Sequence, residues 1–230
     1  MNTNSKTLRD IVMANPTIRR TFEQPRVDCC GGGPVGFFGP GEDDLTIDHE
    51  YTEQEFVEKL EVGELIDYIV ERHHGFTRRE IGRLRLLMER VCHKHVQQYP
   101  ELYDLKLLFN ALCDDITTHM RREEFHLFPY IKNVQRAHET NAYLPFPKFG
   151  TVSTPVRIMM ADHDTVADFM DEMRGITDNF SPPRGACLNL MTLYAGFTAL
   201  EKDLYKHVHL ENNILFPAAI LLEQDCFMTA

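Results

Sequence analysis

Apolar residues recur at intervals of three and four positions along most of the chain after residue 62, which is the spacing of an α-helix that buries one face. The first two faces are Ile66, Val70, His74, Thr77, Ile81, Leu84 and Met88, and Leu105, Phe109, Leu112, Ile116, His119, Glu123 and Leu127. The other two are Met159, His163, Val166, Met170 and Met173, and Leu190, Leu193, Phe197, Leu200, Leu204, His207, Glu211 and Leu215. The pattern predicts four long helices.

Prolines and glycines mark the connections between these helices. Pro100 ends the first helix, and residues 136–153, with two prolines and a glycine, are predicted as a connection. Pro155 restarts a helix in its first turn, where proline is tolerated. Residues 181–183, Ser-Pro-Pro, form the next break. Four long helices with short connections predict an all-α, antiparallel four-helix bundle.

The second and fourth helices carry the same motif, H-x-x-x-E-x-x-x-L-F-P. Its first copy contains His119 and Glu123, and its second contains His207 and Glu211, 88 positions further on. Positions i and i+4 share one helix face, so each copy directs an imidazole and a carboxylate the same way. We expect the Leu-Phe-Pro ends to pack in the core and then to kink or end the helix.

A further pair of histidines extends this repeat. His74 and His163 are 89 positions apart, and each lies one helix before its motif. Residues 64–135 and 155–222 are therefore predicted to be two copies of one helical hairpin. Packed about a pseudo-twofold axis, the hairpins would bring four histidines and two glutamates together in the middle of the bundle.

Such a cluster of donors predicts a metal site. A bare carboxylate in a core costs several kcal/mol, and two of them become tolerable when cations neutralise them. Imidazole and carboxylate suit iron, manganese or zinc, and two glutamates can bridge two such ions with two histidines on each. One histidine on an apolar face is more often a core residue, so the prediction depends on the repeated set. The remaining histidines are predicted to be solvated: His49, His73, His93, His95, His126, His138 and His209.

Composition narrows the class of protein. The chain has 230 residues and a formal net charge of −11 at pH 7, which argues against nucleic acid or an anionic membrane surface as a partner. No run of about 18 apolar residues predicts a membrane span, and the N-terminus lacks the apolar segment of a secretory signal. We therefore expect a cytoplasmic protein. Cys92, Cys113 and Cys187 fall in helical stretches and are predicted to be reduced.

The N-terminal part has a different composition. Two short helices are predicted before residue 25, and a glycine-rich loop then follows the adjacent Cys29 and Cys30. Exposed thiols on such a loop can be redox-active, bind a metal transiently or join subunits. The predicted domains are a helical module over residues 1–40, an acidic linker over 41–60 and the bundle over 61–230.

The order and type of the donors carry a family resemblance. Ferritin-like bundles use Glu-x-x-His with several more carboxylates, whereas here the order is His-x-x-x-Glu and histidine outnumbers glutamate. With the Asp-Cys-Cys-Gly-Gly segment after two short helices, the whole chain resembles the RIC family (repair of iron centres, ScdA-type di-iron proteins with a hemerythrin-like bundle). The resemblance implies as metal ligands His74, His119, Glu123, His163, His207 and Glu211, and as redox or iron-transfer thiols Cys29 and Cys30.

The same resemblance implies a function. It indicates a cytoplasmic, often homodimeric protein with two iron ions linked by an oxo or hydroxo bridge. Such a protein repairs iron–sulfur clusters damaged by nitric oxide or oxidative stress, by donating iron. Its partners would be damaged iron–sulfur proteins, with nitric oxide, dioxygen or peroxide as small ligands. Two alternatives stay open: an enzyme that reduces nitric oxide or peroxide, and a dioxygen-binding or sensing protein, ranked last because four histidines are found where dioxygen carriers favour five.

Overall fold

The computed structural model describes residues 56–57 and 59–228, and this part of the chain is built from helices. Within it the α-helices are α1 (Val62–Tyr68), α2 (Gly75–His95), α3 (Leu102–Arg122), α4 (Phe128–Thr140), α5 (Ser153–Ile176), α6 (Leu188–Leu210) and α7 (Phe216–Met228). Three π-helical turns join α1 to α2, α3 to α4 and α6 to α7: Ile69–His74, Glu123–Leu127 and Glu211–Leu215. Residues 62–228 therefore form four helical runs, as the hydrophobic pattern predicts.

The chain divides into two compact units. Among the described residues, one comprises Ile69–Phe125 and Ile158–Val208, and the other comprises those up to Tyr68, His126–Arg157 and residues 209–228. The predicted module over residues 1–40 and most of the linker lie outside the described residues, so they stay predictions. Among the described residues, no helix is both long enough and apolar enough to cross a lipid bilayer.

The unit of residues 69–125 and 158–208 has a continuous apolar core. The rings of Phe109 and Phe197 meet edge to face at 4.9 Å, and Phe180 packs on Phe197 at 5.6 Å. Gly196 allows α6 to lie close to α2, because a Cβ there would overlap the side chain of Leu84. Burial of these large side chains is the main favourable contribution to the stability of the unit.

All inward positions predicted from the hydrophobic pattern are buried except Val70, which is half-buried. The residue buried in its place is the neighbouring Ile69, with 0% exposure. Val70 lies in the first π-helical turn, whose i to i+5 hydrogen bonds change the angular step from residue to residue. The inward face is therefore shifted by one residue relative to the α-helical period.

A buried carboxylate organises the other unit. Glu223 of α7 is 2% exposed and accepts hydrogen bonds from the Tyr130 hydroxyl at 2.6 Å and the Val152 N–H at 2.9 Å. It thus ties α4 and the end of the 141–152 connection to α7. Burial, together with the hydrogen bond to Glu223, raises the pKa of Tyr130.

The connection predicted over residues 136–153 is shorter than expected. Residues 136–140 belong to α4, and Ser153 already belongs to α5. The helix ends at Thr140, and the next residue, Asn141, has a left-handed φ of 51°. The Ala142 N–H donates to the Ala137 carbonyl at 2.9 Å. Ala137 is buried, so packing extends the helix beyond the point at which the distant prolines suggested an end.

The Leu-Phe-Pro segments pack in the core as predicted, with Leu127, Phe128, Leu215 and Phe216 all buried. The helical runs do not end there, however. Each proline is the second residue of the α-helix that follows a π-helical turn. A proline at the start of a helix removes no hydrogen bond that the helix needs, so the run continues.

We predict that Glu223→Ala lowers the free energy of unfolding by about 3 kcal/mol, because the buried N–H of Val152 and the half-buried hydroxyl of Tyr130 lose their acceptor. Glu223→Gln keeps an acceptor oxygen in place and should lose markedly less. Urea unfolding followed by circular dichroism measures both variants. Equal stability of the wild type and the alanine variant would contradict the role assigned to Glu223.

Candidate metal centre

The six residues predicted as metal ligands are all buried, and none is more than 2% exposed. They are His74, His119, Glu123, His163, His207 and Glu211. Histidines lie on α3, α5 and α6 and at the last position of the first π-helical turn, and each glutamate opens one of the other two π-helical turns. These turns are often found at functional sites.

The donors converge in two groups of four, and within each group the ligand atoms lie within 4.8 Å of one another. The groups are His74, Glu123, His207 and Glu211, and His119, Glu123, His163 and Glu211. Both glutamates belong to both groups. The two groups are related by the sequence repeat: His74 corresponds to His163, His207 to His119, and Glu123 to Glu211. This symmetry is the one expected from the predicted duplication.

The imidazoles are paired at a spacing that fits coordination of one ion by each pair. The Nε2 atoms of His74 and His207 are 3.1 Å apart, and those of His119 and His163 are 3.0 Å apart. Two nitrogens that each lie about 2.1 Å from one ion, at a right angle, are separated by about 3 Å. Each pair can therefore hold one cation.

Glu123 lies between the two histidine pairs. One of its oxygens, Oε2, is 3.4 Å from the Nε2 of His74 and 3.2 Å from the Nε2 of His119. The side chains of Glu123 and Glu211 are both 0% exposed. Two carboxylates buried this completely need compensating positive charge, and a nitrogen and oxygen donor set suits iron, manganese or zinc. The residues present thus fit a pair of metal ions.

A carboxylate that the sequence analysis missed orients His74. Glu124 Oε1 lies 2.6 Å from the Nδ1 of His74 and accepts a 2.5 Å hydrogen bond from Arg78. Burial acts to raise the pKa of Glu124, but the hydrogen bonds from Arg78 and His74 outweigh it and hold that pKa below its usual value. Glu124 is therefore charged near neutral pH, and it favours the tautomer of His74 that leaves Nε2 as the donor to a metal.

Asp162 stands in the same relation to His119. Its Oδ2 lies 3.3 Å from the Nδ1 of His119 and 2.7 Å from the Nη2 of Arg122. The hydrogen bond from His119 holds the pKa of Asp162 below its usual value, against the opposing effect of burial and with support from Arg122. A sequence signal existed for both carboxylates: Glu124 follows Glu123, Asp162 precedes His163, and ligand histidines commonly donate their second N–H to a carboxylate.

His73 was predicted to be solvated, and this prediction is wrong. The residue is 1% exposed, and its Nδ1 lies 3.1 Å from the Oδ1 of Asp203. Its ring stacks on His207, with centroids 5.9 Å apart and 8° between the planes. The π-helical turn that ends at His74 buries two consecutive histidines, which an α-helical period does not anticipate.

The other histidines and the cysteines follow the predictions more closely. His93 and His126 are exposed, His95 and His138 are half-buried, and His49 lies outside the described residues. His209 is half-buried rather than solvated, and burial lowers its pKa. None of the described cysteines forms a disulfide; Cys92, Cys113 and Cys226 are buried and Cys187 is half-buried. Cys29 and Cys30 lie outside the described residues.

Comparison with known proteins assigns the fold and site to a class and then to a family. Residues 65–219 match the hemerythrin HHE cation-binding domain, a helical bundle of the kind found here. The iron–sulfur cluster repair proteins YtfE of Yersinia pestis (strain Pestoides F) and Yersinia pseudotuberculosis (serotype O:1b, strain IP 31758) are each 31% identical to this chain over 231 residues. The aligned region covers 96% of this chain and 99% of each relative. The chain belongs to the RIC family of hemerythrin-like proteins.

We predict that Glu123→Ala binds at most about one metal ion per chain where the wild type binds about two, because Glu123 belongs to both groups of donors. The variant should also be less stable, since metal binding and folding are coupled. Metal analysis of the purified proteins measures the first effect and thermal unfolding the second. Glu71→Ala, on the exposed side of the same region, is the control and should keep both ions. Unchanged metal content in Glu123→Ala would contradict the assignment.

Proposed function

We propose that this protein holds two iron ions and donates iron to damaged iron–sulfur clusters. The observation that carries the proposal is the pair of buried four-donor groups that share both glutamates. The named function of the relatives, which align along almost the whole chain, supports the same function here. Iron rather than manganese or zinc follows from that relationship, because the donor types suit all three.

The residues divide into recognisable roles. Glu123 and Glu211 would bridge the two ions, and each histidine pair would complete the ligands of one ion. Iron ions joined by an oxo or hydroxo bridge supply Lewis acidity and one-electron chemistry when bound. The chain itself supplies a site with almost no exposed donor atoms, which limits access of water and of competing ligands to the ions.

The remaining assignments come from the same family relationship. Damaged iron–sulfur proteins are the proposed partners, and nitric oxide and peroxide are the agents of damage. Cys29 and Cys30 are the candidate thiols for redox chemistry or iron transfer to the partner. We further propose a cytoplasmic location and a homodimer.

The test of this function is a transfer experiment with labelled iron. The holoprotein, loaded with an iron isotope, is incubated with an iron–sulfur enzyme whose cluster has been destroyed by nitric oxide. We predict that the enzyme regains activity and incorporates the label faster than with the same concentration of free ferrous iron. The Glu71→Ala protein should match the wild type, and Glu123→Ala should donate little. Recovery that never exceeds the ferrous iron control would reject iron donation.

A second candidate function is catalytic reduction of nitric oxide or peroxide. It is favoured by the number of donors in each group. Four protein donors per ion are fewer than the six positions around an octahedrally coordinated ion. Small ligands therefore have room to bind. Nitric oxide added without air to the reduced protein and a reductant should then give nitrous oxide over many turnovers. A nitrosyl adduct that forms once and does not react further would reject catalysis.

A further inference from the structure

We propose that the two positions of the metal centre are unequal, and that the ion held by His119 and His163 is released first, while the ion held by His74 and His207 is retained. This inference deepens the proposed iron donation and depends on it for its purpose. The observations behind it do not involve iron transfer to a partner, because they concern the residues that surround the ligands. The contacts on which it rests are all made within the unit of residues 69–125 and 158–208.

The first difference is the hydrogen bond behind the ligand histidine. Glu124 lies 2.6 Å from the Nδ1 of His74, whereas Asp162 lies 3.3 Å from the Nδ1 of His119. Charge-assisted hydrogen bonds are strongest at short distance and weaken beyond about 3.2 Å. Such a bond fixes the ring and increases the basicity of the metal-binding nitrogen. His74 is therefore the better oriented and the stronger ligand of the two.

The second difference is how firmly each carboxylate is itself held. Glu124 is 18% exposed and 2.5 Å from Arg78, whereas Asp162 is 27% exposed and 2.7 Å from Arg122. Arg78 and Arg122 are similarly exposed, at 43% and 40%, so the less exposed carboxylate makes the pair of Glu124 and Arg78 the one that water and salt screen less. The support behind His74 is thus shorter, more buried and less readily broken than the support behind His119.

The third difference is visible in the sequence repeat. The ligands are identical in the two hairpins, but the residues beside them are not. The position equivalent to Glu124 in the second hairpin is Asn212, whose neutral amide cannot carry the negative charge of a carboxylate. His207 and His163 are the ligand histidines of the second hairpin. His207, which pairs with His74, is covered by an additional ring. That ring is His73, which is 1% exposed and held by Asp203.

The shorter hydrogen bond at His74 and the ring stacked on His207 favour that position, and the longer hydrogen bond from His119 to Asp162 is the weaker support at the other position. Around His74 and His207 a short charged hydrogen bond and a stacked, anchored imidazole restrain the ligands. The residue equivalent to His73 in the other hairpin is Asp162, which is more exposed and adds no ring. A ligand that leaves its ion briefly returns more often when its orientation is fixed, so dissociation is slower where the restraint is greater. The His119 and His163 position is therefore the source of the exchangeable ion.

The test measures release of the two ions to a chelator. The di-iron protein is reduced with dithionite, mixed with an excess of a coloured ferrous chelator, and followed by absorbance. We predict two phases of about one iron each, with rates that differ by about tenfold or more, the range by which such supporting residues change metal affinity. A single phase that contains both ions would overturn the inference.

Matched variants assign the phases to the two positions. Glu124→Gln keeps the shape of the side chain but removes its charge, and it should accelerate the slow phase by about tenfold so that the phases approach each other. Asp162→Asn makes the same change at the other position and should accelerate the fast phase alone. Arg78→Met keeps Glu124 but removes the hydrogen bond that Arg78 donates to it. This variant should also accelerate the slow phase, by a smaller factor. It serves as the readout if Glu124→Gln does not load two ions.

The outcomes separate this inference from the function on which it depends. Acceleration of the fast phase by Glu124→Gln or Arg78→Met, with the slow phase unchanged, would reverse the assignment and reject the inference. Repair of a damaged cluster by a protein that releases both ions at one rate would also reject it while the proposed function stands. Two-phase release with the predicted response to the variants, but without repair, would keep the inequality and reject iron donation.

Discussion

The structure depends on one electrostatic constraint: two carboxylates are fully buried beside four imidazoles. Glu123 and Glu211 are 0% exposed, and in a protein interior such charges are tolerable only when positive charge lies next to them. Cations held between the paired histidines, whose Nε2 atoms are 3.0–3.1 Å apart, would meet this requirement. Folding and metal binding are then parts of one equilibrium.

The helices are arranged so that this constraint can be satisfied. Each long helical run contributes to the centre, and three of the four runs contain a π-helical turn beside a ligand. A π-helical turn breaks the regular hydrogen-bonding pattern, so it carries a cost that packing elsewhere must offset. The apolar cluster around Phe109 and Phe197 provides such packing on one side of the ligands. This packing thus helps to hold the donors that belong to the same unit.

Much of this arrangement follows from the sequence, and the reasons are specific. The ligands were predictable because each of them interrupts an apolar helix face with a residue that rarely lies there, and because the pattern occurs twice at spacings of 88 and 89 residues. The burial of His73, and the burial of Ile69 instead of Val70, were not predictable from an α-helical period, since a π-helical turn changes that period locally. Glu124 and Asp162 were missed because their role depends on which ring nitrogen they face, and spacing along one helix does not reveal contacts across helices.

The most direct test of the central claim is a crystal structure of the protein purified with iron, with anomalous diffraction data collected on both sides of the iron absorption edge. The account predicts two anomalous peaks per chain, one against His74 and His207 and the other against His119 and His163, with Glu123 and Glu211 in contact with both. A structure in which these six side chains converge around no metal, or in which one or more of them turns away to solvent while the iron lies elsewhere, would contradict it.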